Sequence, residues 1–496
     1  MASKLFMDTL PSTVKSADVN FEQSIETEIL LADYDAPVFK IVKTTLEHLI
    51  TQKYIMQNKL TVEGFVKVNV CYQSAESSRL NTSSQKVPFQ KQLEVGEYDV
   101  NCIDVQGHCQ YVNTRPQNPT RIDVRGAYLF NIRVYSRQDT EVITVISGNS
   151  VCCDTAQLDC FALAAQNIRQ FTMENEFSLP DNLHKILRVA TDAAVPAVAV
   201  YSDKITVKGE VNANIFYTVA DDDAVHTHSQ AFAYNQIVDM PDIKENNVPY
   251  INVSAASFGV SQNSDSKKML GVMTVQIDAA AFAKQQILAV CDCFSRRFEY
   301  EKGTQQQLVD VNMQNINRTV NVQFNDISAG GRVCDVQFEI SPAKSYFEIN
   351  KTTVKTKAMA HIILQNAQGE YECLTKTEDV VFDWLENCGR FDEISLCLSL
   401  SGYSVNGSSV TANIAVKGFV IEKQPVQLLK TFAEDEEKPM ENTDEALVIY
   451  YGRKGEKIFD IAKSHNVSPQ IILQENALES DFLPENTMLF IPAFEQ

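Results

Sequence analysis

The residues most suggestive of chemistry form an acidic, histidine-containing run, Asp221-Asp-Asp-Ala-Val-His226-Thr-His228. Carboxylates and imidazoles ligate divalent ions, so such a run could hold a metal. An internal repeat favours another interpretation, because the run follows a strand-like segment that begins at Lys204. At the same point the other two copies carry Ser74-Ala-Glu-Ser-Ser and Asn366-Ala-Gln-Gly369, which have the composition of polar hairpin loops. We therefore predict a hairpin loop here and no metal site.

Signatures of catalysis or cofactor binding are not found elsewhere in the sequence. The remaining histidines are scattered, and no P-loop, dinucleotide fingerprint, HExxH motif or nucleophile elbow occurs. The 12 cysteines include no CxxC pair, and the spacings Cys152-Cys153 and Cys291-Asp-Cys293 suit zinc poorly. We predict no catalytic residue, no cofactor and no metal, and interpret the cysteines as small buried residues of a reducing compartment.

A second candidate site, of a kind suited to binding rather than catalysis, lies near the C-terminal end of the sequence. The pattern there predicts a small βααβ module, in which apolar residues alternate in the strands and recur at helical spacing between them. The predicted elements are a strand at Ile449-Tyr-Tyr451, a turn at Gly455, a helix with Ile458, Phe459, Ile461 and Ala462, a second helix started by Ser468 and Pro469, a left-handed turn at Asn486 and a strand with Leu489 and Ile491.

Residues 447–494 resemble a LysM domain. Members of that family usually show G-D-T-L-W-x-I-A at the first turn and helix, and this chain has Gly455-Glu-Lys-Ile-Phe-Asp-Ile-Ala462. Two loops contact the glycan in that family, and they correspond here to 455–458 and 476–482. The resemblance implies a partner- or glycan-binding site at Gly455, Glu456, Lys457, Ile458, Asn476, Ala477 and Leu478. Lys457 replaces the usual threonine and Asn486 the usual glycine, which favours a protein ligand over a glycan.

The residues before this module are organised by an internal repeat. Lys59-Leu-Thr-Val-Glu-Gly64 recurs as Lys204-Ile-Thr-Val-Lys-Gly209 and as Lys351-Thr-Thr-Val-Lys-Thr356, each followed by apolar residues at every second position. That period is typical of a half-buried strand. Further strand-like segments follow at similar offsets in each copy, at 87–95, 231–238 and 379–384 and then at 121–130, 269–277 and 409–416. The spacing predicts one all-β sandwich or barrel-like unit per repeat.

These repeats resemble the SPOCS domain of spore-coat morphogenetic proteins. The resemblance lies in the K-x-T-V-x-G strand, in Val87-Pro-Phe and in the tail Asp292-Cys-Phe-Ser-Arg-Arg-Phe-Glu-Tyr300. It predicts a mainly β chain, with three tandem β-sandwich-like SPOCS repeats at 20–150, 165–300 and 310–425 and a small C-terminal α+β (βααβ) LysM module. This order of domains resembles the SipL-type architecture of spore-envelope assembly proteins.

The resemblance also implies a function. It is that of a non-enzymatic scaffold in the mother-cell cytoplasm, which sits on the forespore surface and binds the ATP-hydrolysing SpoIVA-type coat-base protein. The alternative is a protein that binds peptidoglycan or another N-acetylglucosamine glycan of the cell wall or cortex. A hydrolase site in the repeats would require polar strand-face residues in one copy that the other copies lack, and no clear set is found.

Charge and patterning limit the remaining possibilities. The net charge of −21 argues against binding to nucleic acid or to anionic membranes, since both need clustered cations. Residues 1–18 lack the pattern of a secretory signal, and no apolar run is long enough to span a bilayer, which predicts a cytosolic protein. Residues 431–446 are acidic and contain few apolar side chains, which predicts an extended linker that uncouples the module from the repeats.

Overall fold

Antiparallel strands make up nearly all of the chain, which confirms the mainly β prediction. The structure is a computed structural model that describes residues 3–33, 35–74, 79–194, 196–262, 268–327, 331–348, 351–386, 389–440 and 447–492. The strands form three consecutive units of similar topology, and a short βααβ module follows them.

The first unit is a sandwich of two three-stranded sheets. Its strands are β1 (Lys4–Leu30), β2 (Val38–Met56), β3 (Lys59–Ser74), β4 (Leu80–Glu94), β5 (Asn101–Asn118) and β6 (Arg121–Ser147). One sheet has the order β1-β6-β5 and the other β2-β3-β4. Alternate residues of β3, among them Val62, Val66 and Val68, are fully buried between the sheets against Phe130 of β6. The period-two pattern of the repeat therefore marks the inner face of this sheet.

The second and third units repeat this arrangement, with one strand of the first unit divided in two. The second unit has β7 (Val151–Phe177), β8 (Leu183–Ala193), β9 (Ala197–Tyr201), β10 (Lys204–Val219), β11 (Asp222–Asp239), β12 (Val248–Gln262) and β13 (Met269–Ser295). The third has β14 (Phe298–Phe324), β15 (Arg332–Ile340), β16 (Lys344–Glu348), β17 (Lys351–Gln365), β18 (Tyr371–Glu386), β19 (Glu393–Asn406) and β20 (Ser409–Pro439).

The repeat motif ends in glycine at Gly64 and Gly209 and in threonine at Thr356, and the strand beside it differs between the first and third units. A Cβ atom on Gly64 would lie 2.1 Å from the carbonyl oxygen of Leu49 on the continuous strand β2. In the third unit, Thr356 lies opposite the break between β15 and β16, and its hydroxyl donates to the carbonyl oxygen of Ser341 over 2.5 Å. The break therefore makes room for a side chain that the first unit excludes.

Each unit begins earlier than in the predicted bounds of 20–150, 165–300 and 310–425, and the third also ends later. Long antiparallel ribbons, formed by β1 with β6, β7 with β13 and β14 with β20, project from the sandwiches and make the units span 4–147, 151–295 and 298–439. The three ribbons pack on one another through clusters that contain Leu10, Leu158 and Val309. Because no single ribbon encloses a core of its own, the hydrophobic pattern within one repeat does not reveal the ribbon.

A buried ion pair lies where the three units meet. The Asp310 carboxylate, which is fully buried, accepts from the Lys423 ammonium over 2.9 Å and from the backbone N–H of Thr13 over 2.6 Å. The hydroxyl of Thr13 accepts in turn from the N–H of Leu163 over 3.0 Å, so one network joins all three units. Burial raises the pKa of Asp310, and the Lys423 ammonium opposes that effect.

The predicted linker at 431–446 is wrong over much of its length. Residues 431–439 belong to β20 and pair with β14, and 441–446 lie outside the described residues. Two of its acidic side chains, those of Glu434 and Asp435, find donors instead of repelling one another into solvent. The Glu434 carboxylate accepts from the hydroxyls of Ser150 and Ser295, each over 2.6 Å, while Phe432 is buried between ribbons.

Candidate functional site

The C-terminal module has the predicted βααβ order. Its elements are β21 (Leu447–Gly452), α1 (Ile458–Ser464), α2 (Pro469–Glu475) and β22 (Thr487–Pro492), and β21 pairs with β22. Gly455 adopts a φ of 87°, which confirms the predicted turn. The second helix begins at Pro469 after the N-cap residue Ser468, as predicted, although the Ser468 hydroxyl bonds the Gln470 side chain rather than a helix N–H. The left-handed turn predicted at Asn486 is wrong. The non-glycine residues of the module with positive φ are Asn466 and Ala477, while the Asn486 side chain accepts from the N–H of Lys454.

The first predicted binding loop, 455–458, is fastened to residues 481–483. The N–H of Gly455 donates to the carbonyl oxygen of Leu483 and that of Ile458 to Asp481, each over 2.8 Å. Glu456 accepts from the hydroxyl of Tyr450 over 3.2 Å and from a backbone N–H, so its carboxylate braces the loop. Ile458 is buried in the module core. Gly455 and Glu456 are therefore the members of this loop that a ligand could reach without disturbing the core or an ion pair.

The second group of predicted binding residues, at 476–478, mainly stabilises the module and is less available to a ligand. The Asn476 amide donates to the carbonyl oxygens of Ile472 and Phe490 over 2.9 and 2.8 Å, and its oxygen accepts from the N–H of Phe490 over 2.7 Å. It thereby ties α2 to β22. Leu478 packs against the module core, and Ala477 is exposed. The seven predicted residues thus divide between buried, hydrogen-bonded and accessible positions.

The module is docked on the ribbon end of the second unit. Phe294 of β13 is fully buried and packs edge-on against Phe459 of α1, with ring centroids 5.4 Å apart and planes at 66°. Cys152 and Tyr300 join the same apolar cluster. The module therefore shares its core with the repeats, in contrast to the predicted uncoupling.

Two ion pairs reinforce this contact. Lys457 meets Asp154 over 2.5 Å and Lys463 meets Asp292 over 2.7 Å, and Lys302 also bonds Asp292. Burial disfavours the charged Asp292 carboxylate, but hydrogen bonds from the two lysines outweigh it, so the pKa of Asp292 lies below its ordinary value. Lys457, a predicted ligand contact, is thus directed at the repeats. The segment from Asp292 to Tyr300, on which part of the SPOCS resemblance rests, supplies residues of this docking surface. Its sequence pattern alone did not identify the C-terminal module as the partner.

The opposite face of the module, which sequence reasoning did not single out, is apolar and exposed. Val448, Tyr450, Leu489 and Ile491 point into the core, so the alternate residues of both strands point outward. Tyr451, which is 75% exposed, lies beside Met488, and Ile449 lies beside Phe490. We call the set Leu447, Ile449, Tyr451, Met488 and Phe490 the apolar sheet face. Exposed apolar patches of this kind commonly mark interaction surfaces.

The acidic, histidine-containing run at 221–228 is a hairpin, as predicted. Val219 pairs with Asp222 and Tyr217 with His226 across the turn between β10 and β11. The rings of His226 and His228 stack on aromatic neighbours 5.6 and 5.4 Å away. The equivalent turn of the third unit also closes a hairpin, between β17 and β18, and most of that of the first lies outside the described residues.

Metal-binding and thiol sites are not apparent in the described part of the chain. No group of three or more His, Cys, Asp or Glu side chains within it is placed to hold a metal ion. Its cysteines are all free, and Cys388 lies outside it. Burial raises the pKa of the Cys102 and Cys397 thiols to about 12, which disfavours the reactive thiolate. Within the same residues no helix is long and apolar enough to cross a membrane.

Comparison with known families assigns both kinds of domain. Segments 37–115 and 182–261 match the family model described as SipL, SPOCS domain, and 453–492 match the LysM domain. No curated protein and no solved structure matches the chain. The matched SPOCS segments begin at β2 and β8, which hold equivalent places in the first two units. With two SPOCS segments and a C-terminal LysM domain, the chain matches a SipL-type protein, and these domains support a sporulation- and coat-related role with a possible glycan-binding module.

Proposed function

We propose that this chain is a non-enzymatic scaffold of spore-envelope assembly that binds a SpoIVA-type coat-base ATPase through its LysM module. It would act in the mother-cell cytoplasm, at the forespore surface. The observation that carries the proposal is the apolar sheet face, where Tyr451 and Phe490 offer aromatic groups to a partner. Protein interfaces are enriched in such residues and concentrate their binding energy in them.

Several residues of the two predicted binding loops are already engaged within the protein, which supports a protein ligand over a glycan. Lys457 is engaged by Asp154, while Ile458 and Asn476 hold the module together. A glycan would have to be held by the residues that remain accessible, namely Gly455, Glu456 and Ala477. Sugar sites rely on several convergent polar groups beside an apolar surface, and this set supplies one charged side chain.

The test uses the full-length chain with Tyr451→Glu. Because the Tyr451 side chain is largely exposed, the substitution should leave the melting temperature nearly unchanged. Loss of an aromatic anchor and burial of a charge should weaken retention of the purified ATPase by about thirtyfold or more, the loss typical of an interface hot spot. Leu288→Glu is the matched control, since Leu288 is an exposed apolar residue on β13, outside the module, and its replacement should leave retention unchanged.

Two outcomes would contradict the proposal. One is that the ATPase is retained equally by the Tyr451→Glu and unaltered chains. The other is that the unaltered chain is retained on peptidoglycan and not by the ATPase. In the second case, substitution of Glu456 and Ala477 should abolish wall retention, which would assign the module to glycan binding.

A further inference from the structure

A cleft of about 970 Å³ opens between the third unit and the first. One wall is the outer face of β16, β17 and β18, and the other is the outer face of β1, β5 and β6. The corresponding junctions between the first and second units and between the second and third hold recesses of only about 20 and 170 Å³. One of three similar junctions is therefore open.

One position of the repeat differs among the three units. The residues that pair with the buried valines Val62, Val207 and Val354 are Lys53, Val198 and Ser345. Lys53 fills the first junction, where its ammonium meets the Asp278 carboxylate over 3.1 Å, and Val198 lines the second recess. In the third unit the equivalent residue, Ser345, has a short side chain and lines a smaller recess beside the cleft.

Positive charge lines the open cleft. Its cations are Arg133, Lys344, Lys355 and Lys357, and its carboxylates are Asp18 and Asp379. Within the described part of the chain, Lys344 and Lys357 have no ion-pair partner, and Lys355 lies over the Tyr346 ring at 5.3 Å. An excess of unpaired cations on a chain of net charge −21 is a local field that attracts a negatively charged ligand.

The cleft also offers groups suited to a polypeptide. The Nδ1 atom of His108 and the Oδ1 atom of Asn131 line it, are buried and have no hydrogen-bond partner. Tyr346 and Val381 present apolar surface beside the lysines. Polar and apolar groups therefore both line the wall, as they do in grooves that bind a peptide.

An unpaired strand edge borders this cleft. Among the described strands, β16 pairs with β17 alone. An adjoining recess of about 310 Å³ is lined by the consecutive residues Lys344, Ser345 and Tyr346. Consecutive strand residues point to opposite faces, so all three can line one recess only if the strand edge faces it. Such an edge is a template for an additional strand.

We propose that the cleft lined by Arg133, Lys344, Lys355 and Lys357 binds an extended acidic peptide segment of another protein. The peptide backbone pairs with the free edge of β16, and its carboxylates meet the lysines. A nucleic acid is disfavoured, since Asp18 and Asp379 would repel a continuous line of phosphates. This site is separate from the apolar sheet face, so the proposal stands or falls independently of the proposed function.

Fluorescence anisotropy on the full-length chain tests the proposal. The probe is a labelled ten-residue peptide of alternating Glu and Val, and its counterpart alternates Lys and Val. The double variant Lys344→Glu/Lys357→Glu should raise the Kd of the acidic peptide at least tenfold, because two ion pairs are lost and two repulsions are added. The matched control Lys204→Glu/Lys208→Glu makes the same charge change on exposed residues of β10, and should alter the Kd less than twofold.

Further measurements sharpen the test. Raising the salt concentration should weaken binding of the acidic peptide, and the lysine peptide should not bind to this cleft. The proposal is overturned if the acidic peptide does not bind at low salt, or if both double variants weaken it equally. It is also overturned if an unlabelled single-stranded DNA of equal length displaces the probe as well as the unlabelled peptide does, since the ligand would then be a nucleic acid.

Discussion

Replacement of Phe294 by alanine should release the C-terminal module from the repeats. Phe294 is fully buried against Phe459, and truncation of a buried phenylalanine costs about 3–5 kcal/mol. The ion pairs of Lys457 and Lys463 have side chains that are 20–32% exposed, so each contributes only about 0.5–1 kcal/mol. The aromatic contact should therefore dominate the docking.

Hydrogen exchange of the full-length chain measures this effect. In the Phe294→Ala variant the amides of α1 should exchange about a hundredfold faster or more, which corresponds to a loss of about 3 kcal/mol in local stability. Phe324→Ala is the matched control. Phe324 is equally buried, but it lies in the core of the third unit, so its truncation should accelerate exchange there and spare α1.

Two results would refute this account of the docking. The first is unchanged exchange in α1 of the Phe294→Ala variant, which would mean that the module is stable without the contact. The second is faster exchange in Lys463→Glu than in Phe294→Ala, which would mean that charge rather than apolar burial holds the module. The first result would also restore the prediction that the module is independent of the repeats.

Three further predictions concern the repeats. Lys423→Met should lower the free energy of unfolding in urea by about 3–5 kcal/mol, because the buried Asp310 carboxylate loses its cation, and a loss below about 1 kcal/mol would contradict this. Gly64→Ala should lower it by about 1–3 kcal/mol through a backbone clash, whereas Gly259→Ala, whose Cβ meets no atom within 4 Å, should not. Burial lowers the pKa of His48 to about 4, so its contribution is present above pH 6.5 and is lost as the pH falls through 4. That loss is about 3 kcal/mol, and His48→Gln should remove it from unfolding curves measured at pH 7.5 and 4.5.

The sandwich of each unit could be predicted because its strands have one buried and one exposed face. In β3 and β10 buried, mostly apolar residues recur at every second position, and this period can be read from the sequence. The module was predictable for a similar reason, since Gly455 and Pro469 mark where its helices begin. Local chemistry was enough in these segments because each buries its apolar face within its own domain.

The ribbons, the docked module and the basic cleft could not be predicted, because each depends on contacts between distant segments. Leu10 becomes a core residue only when two other ribbons cover it. Glu434 was interpreted as part of a repelling charge block, and the hydroxyls that donate to its carboxylate come from positions more than a hundred residues away. The basic cleft joins Arg133 of the first unit to lysines of the third, so it exists only where these two units meet.

The positions of the two proposed sites bear on how a scaffold would work. Arg133 in the basic cleft and Ser147 at the ribbon end are both on β6. Tyr300 packs against the cluster that contains Ile146 at this ribbon end and also against the core of the docked module. Fourteen residues of strand separate them, which at a rise of about 3.3 Å per residue gives roughly 45 Å. Because β6 is paired along its whole length, a protein on the apolar sheet face and an acidic peptide in the cleft would be held at a fixed separation. A flexible tether would only have raised their local concentration, whereas a paired strand also sets their geometry.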